Sequence, residues 1–270
     1  MTKSGTIRAG TGGWTFAPWE GTFYPDKLAK TKQLSFASSK LNTIEVNGTY
    51  YSGFTPATFA KWAAETPDGF LFSIKGNRFV TNRKVLAEAG ESMRKFFAQG
   101  LEELGPKLGP LVWQFANTKK FEPDDFEGFL KLLPREHAGL KLRHVVEVRH
   151  PSFVVPEFPS LCAKYGVAIC HADHAAYPEI GDVTADFVYS RLQKGNDDIP
   201  TAYDEADLSR WRGIARQWAE GLEPDGLVYA DPVANAPVVP RDVFVYFIHE
   251  GKVRAPQGAM AFQALVDQNG

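Results

Sequence analysis

The segment that decides the fold is residues 144–173, HVVEVRHPSFVVPEFPSLCAKYGVAICHAD. Its two ends are short apolar runs typical of buried strands, His144–His150 and Val167–Asp173, and a helical pattern, Phe158–Tyr165, lies between them. Gly166 follows this helix directly, and glycine is the residue that most often ends a helix. The segment therefore predicts strand, helix and strand, the unit from which parallel sheets are built.

The same alternation continues in both directions along the chain. Eight strands are predicted: Ile7–Thr11, Thr43–Asn47, Phe70–Gly76, Pro110–Phe115, His144–His150, Val167–Asp173, Phe187–Gln193 and Asp242–Glu250. Seven helices are predicted between and after them: Leu28–Leu41, Pro56–Glu65, Glu88–Leu104, Asp124–Leu133, Phe158–Tyr165, Asp204–Gly221 and Ala255–Val266. Eight such repeats in 270 residues predict one α/β domain over residues 1–270, a (βα)8 barrel of the TIM type. An open doubly wound sheet is the alternative.

Two stretches interrupt the regular alternation. Residues His174–Asp182 are too few for a full helix, which predicts a weak sixth helix. The proline-rich stretch Glu223–Arg241 forms an insertion before the last strand. Its apolar part, Gly226–Ala230, could be an extra strand or could compete for the eighth place in the barrel.

Composition narrows the classes of protein to consider. With 30 Lys and Arg against 32 Asp and Glu, the net charge of −2 gives no overall attraction to nucleic acid or to an anionic membrane. No apolar run reaches the roughly 18 residues of a membrane span, and the first ten residues lack the apolar core of a signal peptide. Cys162 and Cys170 are expected to be free thiols. We therefore expect a cytoplasmic protein with no membrane partner.

Polar residues follow nearly every predicted strand, whereas turn residues such as those of Pro67–Gly69 precede the strands. In a TIM barrel the carboxyl ends of the strands carry the chemistry. Residues two apart on a strand share a face, and the pairs are Glu45 with Asn47, Ser73 with Lys75, and Glu147 with Arg149. If these faces point inward, two carboxylates, a lysine and a guanidinium meet in the upper barrel. Because burying unpaired charge is costly, they should bind a ligand or form a structural ion-pair network.

Several motifs together resemble one known family. They are Gly10–Trp14, Phe23–Pro25, Leu41–Tyr51, Thr66–Phe70, Lys75–Lys84, Leu108–Gln114, Val146–Ser152, Ala172–Asp173 and Thr184–Leu192. Over about residues 7 to 262 the chain resembles the YecE-like family, a domain of unknown function. The resemblance implies a TIM-type barrel and a shared pocket, and it implies no established reaction. Gly13, Asn82, Phe115-Ala116 and residues 248–250 depart from the usual family pattern around the expected mouth, which predicts an altered specificity.

The chemistry of each side chain suggests its role. Lys75 is predicted to anchor an anion, with a Schiff-base lysine or a general base as alternatives. Glu147 and Glu45 could form an acid/base pair, and Arg149 would orient an anionic substrate or merely neutralise a carboxylate. The predicted catalytic residues are Glu45, Lys75, Glu147 and Asp173. The predicted substrate-binding residues are Thr11, Trp14, Asn47, Tyr50, Arg78, Gln114, Arg149, Arg191 and Tyr246.

Three classes of function remain open from the residues. The first is an enzyme that acts on a small anionic metabolite, phosphorylated or carboxylated, by acid/base chemistry that requires no metal or cofactor; hydrolysis, lyase chemistry and isomerisation all fit. The second is a metal-dependent phosphodiesterase acting on nucleic acid, in which His171, Asp173, Glu147 and His249 would hold the metal. The third is a non-catalytic binding or scaffold protein. The first is preferred, and nucleic acid is not the favoured partner.

Overall fold

Eight parallel strands form a closed barrel in the computed structural model, which describes residues 4–234, 236–249 and 252–268. The strands are β1 (Ile7–Gly12), β2 (Thr43–Val46), β3 (Leu71–Lys75), β4 (Leu108–Gln114), β5 (His144–Glu147), β6 (Ala168–Asp173), β7 (Phe187–Leu192) and β8 (Asp242–Phe247). Around the barrel their order is β1-β8-β7-β6-β5-β4-β3-β2. The predicted (βα)8 barrel is confirmed, and the open sheet is wrong. The predicted end of the last strand, Glu250, lies outside the described residues.

The helices pack around this barrel. They are α1 (Gln33–Ser38), α2 (Gly48–Tyr51), α3 (Pro56–Glu65), α4 (Arg78–Thr81), α5 (Gly90–Phe97), α6 (Pro123–Leu132), α7 (Glu157–Tyr165), α8 (Glu205–Glu220) and α9 (Ala255–Asp267). The Asp204 carboxylate caps α8 by accepting a hydrogen bond from the Asp207 backbone N–H. Gly166 ends α7 in the left-handed conformation, as the sequence predicts.

Some elements differ from the prediction. The long helix expected over Glu88–Leu104 is broken after α5, because Gly100 has a φ of 91°. A short 3-10 segment, Leu101–Lys107, then leads into β4. The single-turn helices α2 and α4, which follow β2 and β3, are absent from the prediction, as is the two-stranded hairpin of Glu136–His137 and Leu140–Lys141.

The two irregular stretches are as weak in structure as in sequence. No helix occupies residues 174–186, so the sixth repeat lacks its helix. Gly226–Ala230 is not a strand, and its suggested pairing with the sheet is wrong. This stretch is instead held by Asp182, whose carboxylate accepts hydrogen bonds from the backbone N–H groups of Ala230 and Asp231. Across the part of the chain that is described, no helix is long and apolar enough to cross a membrane.

The core consists of two layers on either side of the strands. Outside, the strands pack against the helices; inside, the lower barrel is filled by Leu71, Val112, Val145, Ala168, Cys170, Phe187, Tyr189, Phe244 and Tyr246. Arg143 lies over the Phe244 ring at the amino end and pairs with Asp242 at 3.1 Å. Cys162 and Cys170 are both buried and free, as predicted. The packed lower barrel leaves the carboxyl end as the place for chemistry.

Candidate active site

A guanidinium joins two buried carboxylates at the carboxyl end of the barrel. Arg191 of β7 donates from Nη2 to Glu45 Oε1 at 2.7 Å and from Nη1 to Glu147 Oε2. Both carboxylates are fully buried, and Arg191 is 2% exposed. The strand register explains the meeting, since Gln114 pairs with Glu147 and the barrel is narrow enough for β2, β5 and β7 to share its interior. These groups, distant in sequence, therefore form one cluster, which we call the upper chamber.

Arg149 extends the cluster toward solvent. Its Nε donates to Glu147 Oε1 at 2.8 Å, and its Nη2 donates to Gln114 Oε1 at 2.8 Å. Its Nη1 donates to the Tyr177 hydroxyl at 3.2 Å, and the guanidinium carbon lies 4.4 Å from the centre of the Tyr177 ring. The side chain remains 18% exposed. Arg149 thus forms one edge of the chamber that an incoming molecule can touch.

A column of hydroxyl groups supports the carboxylates from below. Tyr189 donates its hydroxyl proton to Glu45 Oε2 at 2.5 Å, and Ser73 Oγ lies 3.0 Å from the same hydroxyl. One level lower, the Tyr246 hydroxyl and Thr43 Oγ1 are 2.7 Å apart. The two tyrosine rings are in contact, with centroids 4.9 Å apart. Glu45 is therefore satisfied on both oxygens by Arg191 and Tyr189.

Lys75 is the one charged member of the chamber that lacks a counterion. It ends β3, is 6% exposed, and its Nζ lies 4.6 Å from the centre of the Tyr50 ring. Among the described residues, no side chain or carbonyl group lies within hydrogen-bond or ion-pair distance of this Nζ. Burial, with a contribution from Arg191, lowers the pKa of Lys75 from 10.5 to about 8.

The chamber carries more positive than negative charge. Among the residues that the structure describes, two carboxylates, Glu45 and Glu147, face three cationic side chains, Lys75, Arg149 and Arg191, which leaves one positive charge in excess. Burial alone would raise the pKa of Glu147, but Arg191 and Arg149 outweigh it and hold that pKa below its ordinary value. Glu147 is therefore ionised at neutral pH. It can hold an orientation or accept a proton, but it is not a proton donor there.

Four predicted site residues lie outside the chamber. Asp173 and His171 share a face of β6 that points outward, since His171 lies against the Trp211 and Trp218 rings. Asp173 therefore pairs with Lys194, at 2.6 Å, outside the chamber. The remaining three are Thr11, which donates to the Gly13 carbonyl; Trp14, which packs on Trp62 and Phe72; and Tyr246, which is fully buried one level below the chamber. These four side chains are not part of the charged cluster, and their predicted roles in catalysis and substrate binding stay predictions.

Two other predicted binding residues, Tyr50 and Asn47, lie around its rim, whereas Arg78 is a fifth predicted residue outside the chamber. Tyr50 lies under the Lys75 ammonium, and the Asn47 amide is next to Gly12 at the top of β1. Arg78 points away from the chamber, with its guanidinium 5.5 Å from the Phe79 ring, and lines a separate cavity of about 760 Å³. Tyr189 and Tyr177 contact the charged cluster and were not predicted. Tyr189 could have been found, since it lies two residues before Arg191 on the same strand.

The residues suggested for a metal site are dispersed. His171 Nε2 lies 3.1 Å from Glu179 on the helix side of β6, and His249 Nε2 lies 2.6 Å from Asp197. Glu147 is engaged by two arginines in the barrel. Within residues 4–234, 236–249 and 252–268, no three His, Cys, Asp or Glu side chains are grouped so that they could hold a metal ion.

A closed parallel barrel with its charged groups at the carboxyl end defines the chain as a TIM-like α/β barrel. The chain belongs to the DUF72 family, described as a protein of unknown function, whose family model matches residues 8–270. A DUF72 family protein from Thermotoga maritima superposes with a TM-score of 0.74 at 20% identity, covering 97% of this chain and 99% of that one.

Two further solved structures share the fold. A DUF72 family protein from Enterococcus faecalis has a TM-score of 0.69 at 14% identity, covering 99% of both chains. SacUVDE has a TM-score of 0.54 at 9% identity, covering 97% of this chain and 99% of its own. At these identities the similarity shows the fold alone. No curated protein sequence matches the chain.

Proposed function

We propose that the chain is an enzyme that acts on a small anionic metabolite, phosphorylated or carboxylated, by acid/base chemistry in the upper chamber. The observation that carries the proposal is Lys75, a buried residue whose ammonium group has no acceptor among the described side chains, in a chamber where those side chains leave an excess positive charge. A purely structural network would be expected to pair every buried charge, because an unpaired one costs several kcal/mol in general. An anionic ligand would satisfy Lys75 and neutralise the chamber.

The contacts of each side chain in the chamber suggest its role in this chemistry. Lys75 would contact the anion or transfer a proton, since its pKa of about 8 lies close to neutral pH. Arg149 and Gln114 would bind the substrate at the exposed edge of the chamber. The Glu45–Arg191–Glu147 triad would keep the chamber open and oriented, with Glu147 available as a proton acceptor. Hydrolysis, lyase chemistry and isomerisation all agree with this arrangement.

Anion binding can be tested before the substrate is known. We expect inorganic phosphate to bind the wild type at pH 7 with one site per chain in isothermal titration calorimetry, and Lys75→Met to weaken binding at least about 10-fold, the equivalent of roughly 1.4 kcal/mol. Lys61→Met is the matched control, because Lys61 is an exposed lysine of α3 that pairs with Glu65. Equal binding by wild type and Lys75→Met would remove the central support for the proposal.

Turnover is tested on Glu147. Once a screen of phosphorylated and carboxylated metabolites identifies a substrate, Glu147→Gln should lower kcat by roughly 100-fold or more, the usual contribution of a positioned acid/base group. The amide keeps one oxygen to accept from Arg149 but turns its NH2 group toward Arg191, so circular dichroism must first show that the variant is folded. Unchanged turnover in a folded variant would show that Glu147 has no part in the reaction.

A further inference from the structure

The environment of the Lys75 amino group differs from that of an ordinary ion-paired lysine. Two carboxylates are close enough to affect Lys75 electrostatically, but Arg191 engages both of them. A second guanidinium, that of Arg149, pairs with Glu147. The Nζ lies 4.6 Å from the centre of the Tyr50 ring, and the lysine as a whole is 6% exposed. Burial and neighbouring cations are the two conditions that make a lysine amine available as a nucleophile.

We propose that Lys75 is a covalent nucleophile that forms an iminium bond with a small anionic aldehyde or ketone, either a 2-oxo carboxylate or a phosphorylated carbonyl compound. The inference rests on the proposed function, for which it names the substrate class and the first chemical step. The carbonyl carbon would lie at Lys75 Nζ, and the anionic group would lie on the side of Arg149, the cationic group of the chamber that is partly exposed.

The step balances without a cofactor or an external oxidant. The neutral amine of Lys75 attacks the carbonyl carbon, a C–N bond forms, and the carbonyl π electrons move to oxygen. The nitrogen loses a proton and the oxygen gains one, which gives a carbinolamine. The nitrogen lone pair then forms the C=N bond, while the oxygen takes a second proton and leaves as water. The resulting iminium cation withdraws electrons from the adjacent carbon, which lowers the barrier to breaking a bond there.

The neutral amine that this step needs is available at physiological pH. The fall of the Lys75 pKa from 10.5 to about 8 raises the neutral fraction at pH 7 about 300-fold over that of an ordinary lysine. The charged groups that face Lys75 are Arg191, Glu45, Glu147 and Arg149. Because the carboxylates are held by the arginines, neither is free to form a tight pair with Lys75 that would keep it protonated.

Borohydride trapping tests the proposal on the whole protein. Wild-type protein is incubated at pH 8 with pyruvate or with glycolaldehyde phosphate, reduced with sodium borohydride, and analysed by intact mass and peptide mapping. We expect one adduct per chain, on Lys75, with a mass gain equal to that of the probe in its acid form less one oxygen atom. Lys75 should react at least about 10-fold faster than any other lysine, and inorganic phosphate should slow its labelling.

Two variants sharpen the result. Lys75→Arg keeps the positive charge and should still bind phosphate, but it should give no adduct at this position. Lys107→Arg is the control, since Lys107 is a lysine whose Nζ already donates to the carbonyl groups of Ala63 and Thr66; it should label like the wild type. The peptide map of the wild type gives the answer by itself if Lys75→Arg fails to fold.

The outcomes separate the two proposals. Phosphate binding that depends on Lys75, with no adduct on Lys75 from either probe, overturns the nucleophile and leaves the proposed function standing. Labelling spread evenly over exposed lysines also overturns the nucleophile. Absence of both phosphate binding and adduct overturns both proposals. A Lys75 adduct that phosphate suppresses supports both.

Discussion

Removal of the Arg191 guanidinium should destabilise the protein severely. In Arg191→Leu, Glu45 keeps only its hydrogen bond from Tyr189, while Glu147 keeps Arg149. Breaking a buried ion pair by removing one partner costs about 3–5 kcal/mol, because the other charge stays buried without compensation. Since whole domains have unfolding free energies of roughly 5–15 kcal/mol, we expect about a fifth or more of the total stability to be lost.

Urea unfolding at pH 7, followed by circular dichroism, measures this loss. A second substitution provides the diagnostic: Arg191→Leu combined with Glu45→Gln should recover at least half of the lost free energy, because the unpaired carboxylate is gone. Arg94→Leu, on the exposed face of α5, should change stability by less than about 0.5 kcal/mol.

The free energy of unfolding of the wild type should decrease as the pH is lowered. The folded-state pKa of Glu147 lies below its ordinary value of 4.5, so its contribution to stability is fully present above about pH 4.5 and is lost as the pH falls through the folded-state pKa. A loss below 1 kcal/mol in Arg191→Leu, or a double variant no more stable than the single one, would refute the view that Arg191 compensates both carboxylates.

Three further predictions follow from other contacts. Sulfate does not titrate near neutral pH, so its binding to the wild type should weaken as Lys75 loses its proton and the pH rises through about 8. Its binding to Lys75→Arg should stay constant to pH 10. Wild-type binding that does not change with pH would contradict the lowered pKa of Lys75. Burial lowers the pKa of His144 to about 4, below its unfolded value of 6.5. The roughly 3 kcal/mol of stability linked to this shift is therefore present above pH 6.5 and is lost as the pH falls through about 4. An NMR titration in which the ring titrates above pH 6 would disprove this. Gly76→Ala should destabilise by about 1–3 kcal/mol in thermal unfolding, because its Cβ would lie 2.2 Å from the buried Trp113 ring, while Gly213→Ala on α8 has open space and should be neutral or stabilising.

The barrel could be predicted because each of its parts leaves a local signal. Each strand is a short apolar run, and each long helix carries apolar residues at the helical spacing. Glycine or proline marks most boundaries, as at Gly166 and Pro56. Spacing of two residues predicted that Glu147 and Arg149 share one face of their strand, and the condition that this face and that of Glu45 point inward is met in the structure. These features depend on neighbours in sequence, so no knowledge of the closed barrel is needed to find them.

The errors arose where the answer depends on barrel closure. Alternation shows that His171 and Asp173 share a face, but it does not show whether that face is the interior, and on β6 it is the helix side. Thr11 was predicted to bind substrate because it ends the first strand, but its face is shared with Ala9 in the outer core. The backbone of Tyr246 is level with Arg191, but its side chain reaches down to Thr43, and this direction could not be read from alternation along the strand.

The hydroxyl column inside the barrel also restricts how the protein can change. Glu45 depends on Tyr189 for one of its hydrogen bonds, and the Tyr189 ring in turn rests against the ring of Tyr246, which is anchored at Thr43. A substitution near the floor would therefore disturb an acidic group two levels above it. A redesign that alters one of these positions at a time should therefore lower the stability of the protein, whereas coordinated replacement of the column can keep its polar groups paired.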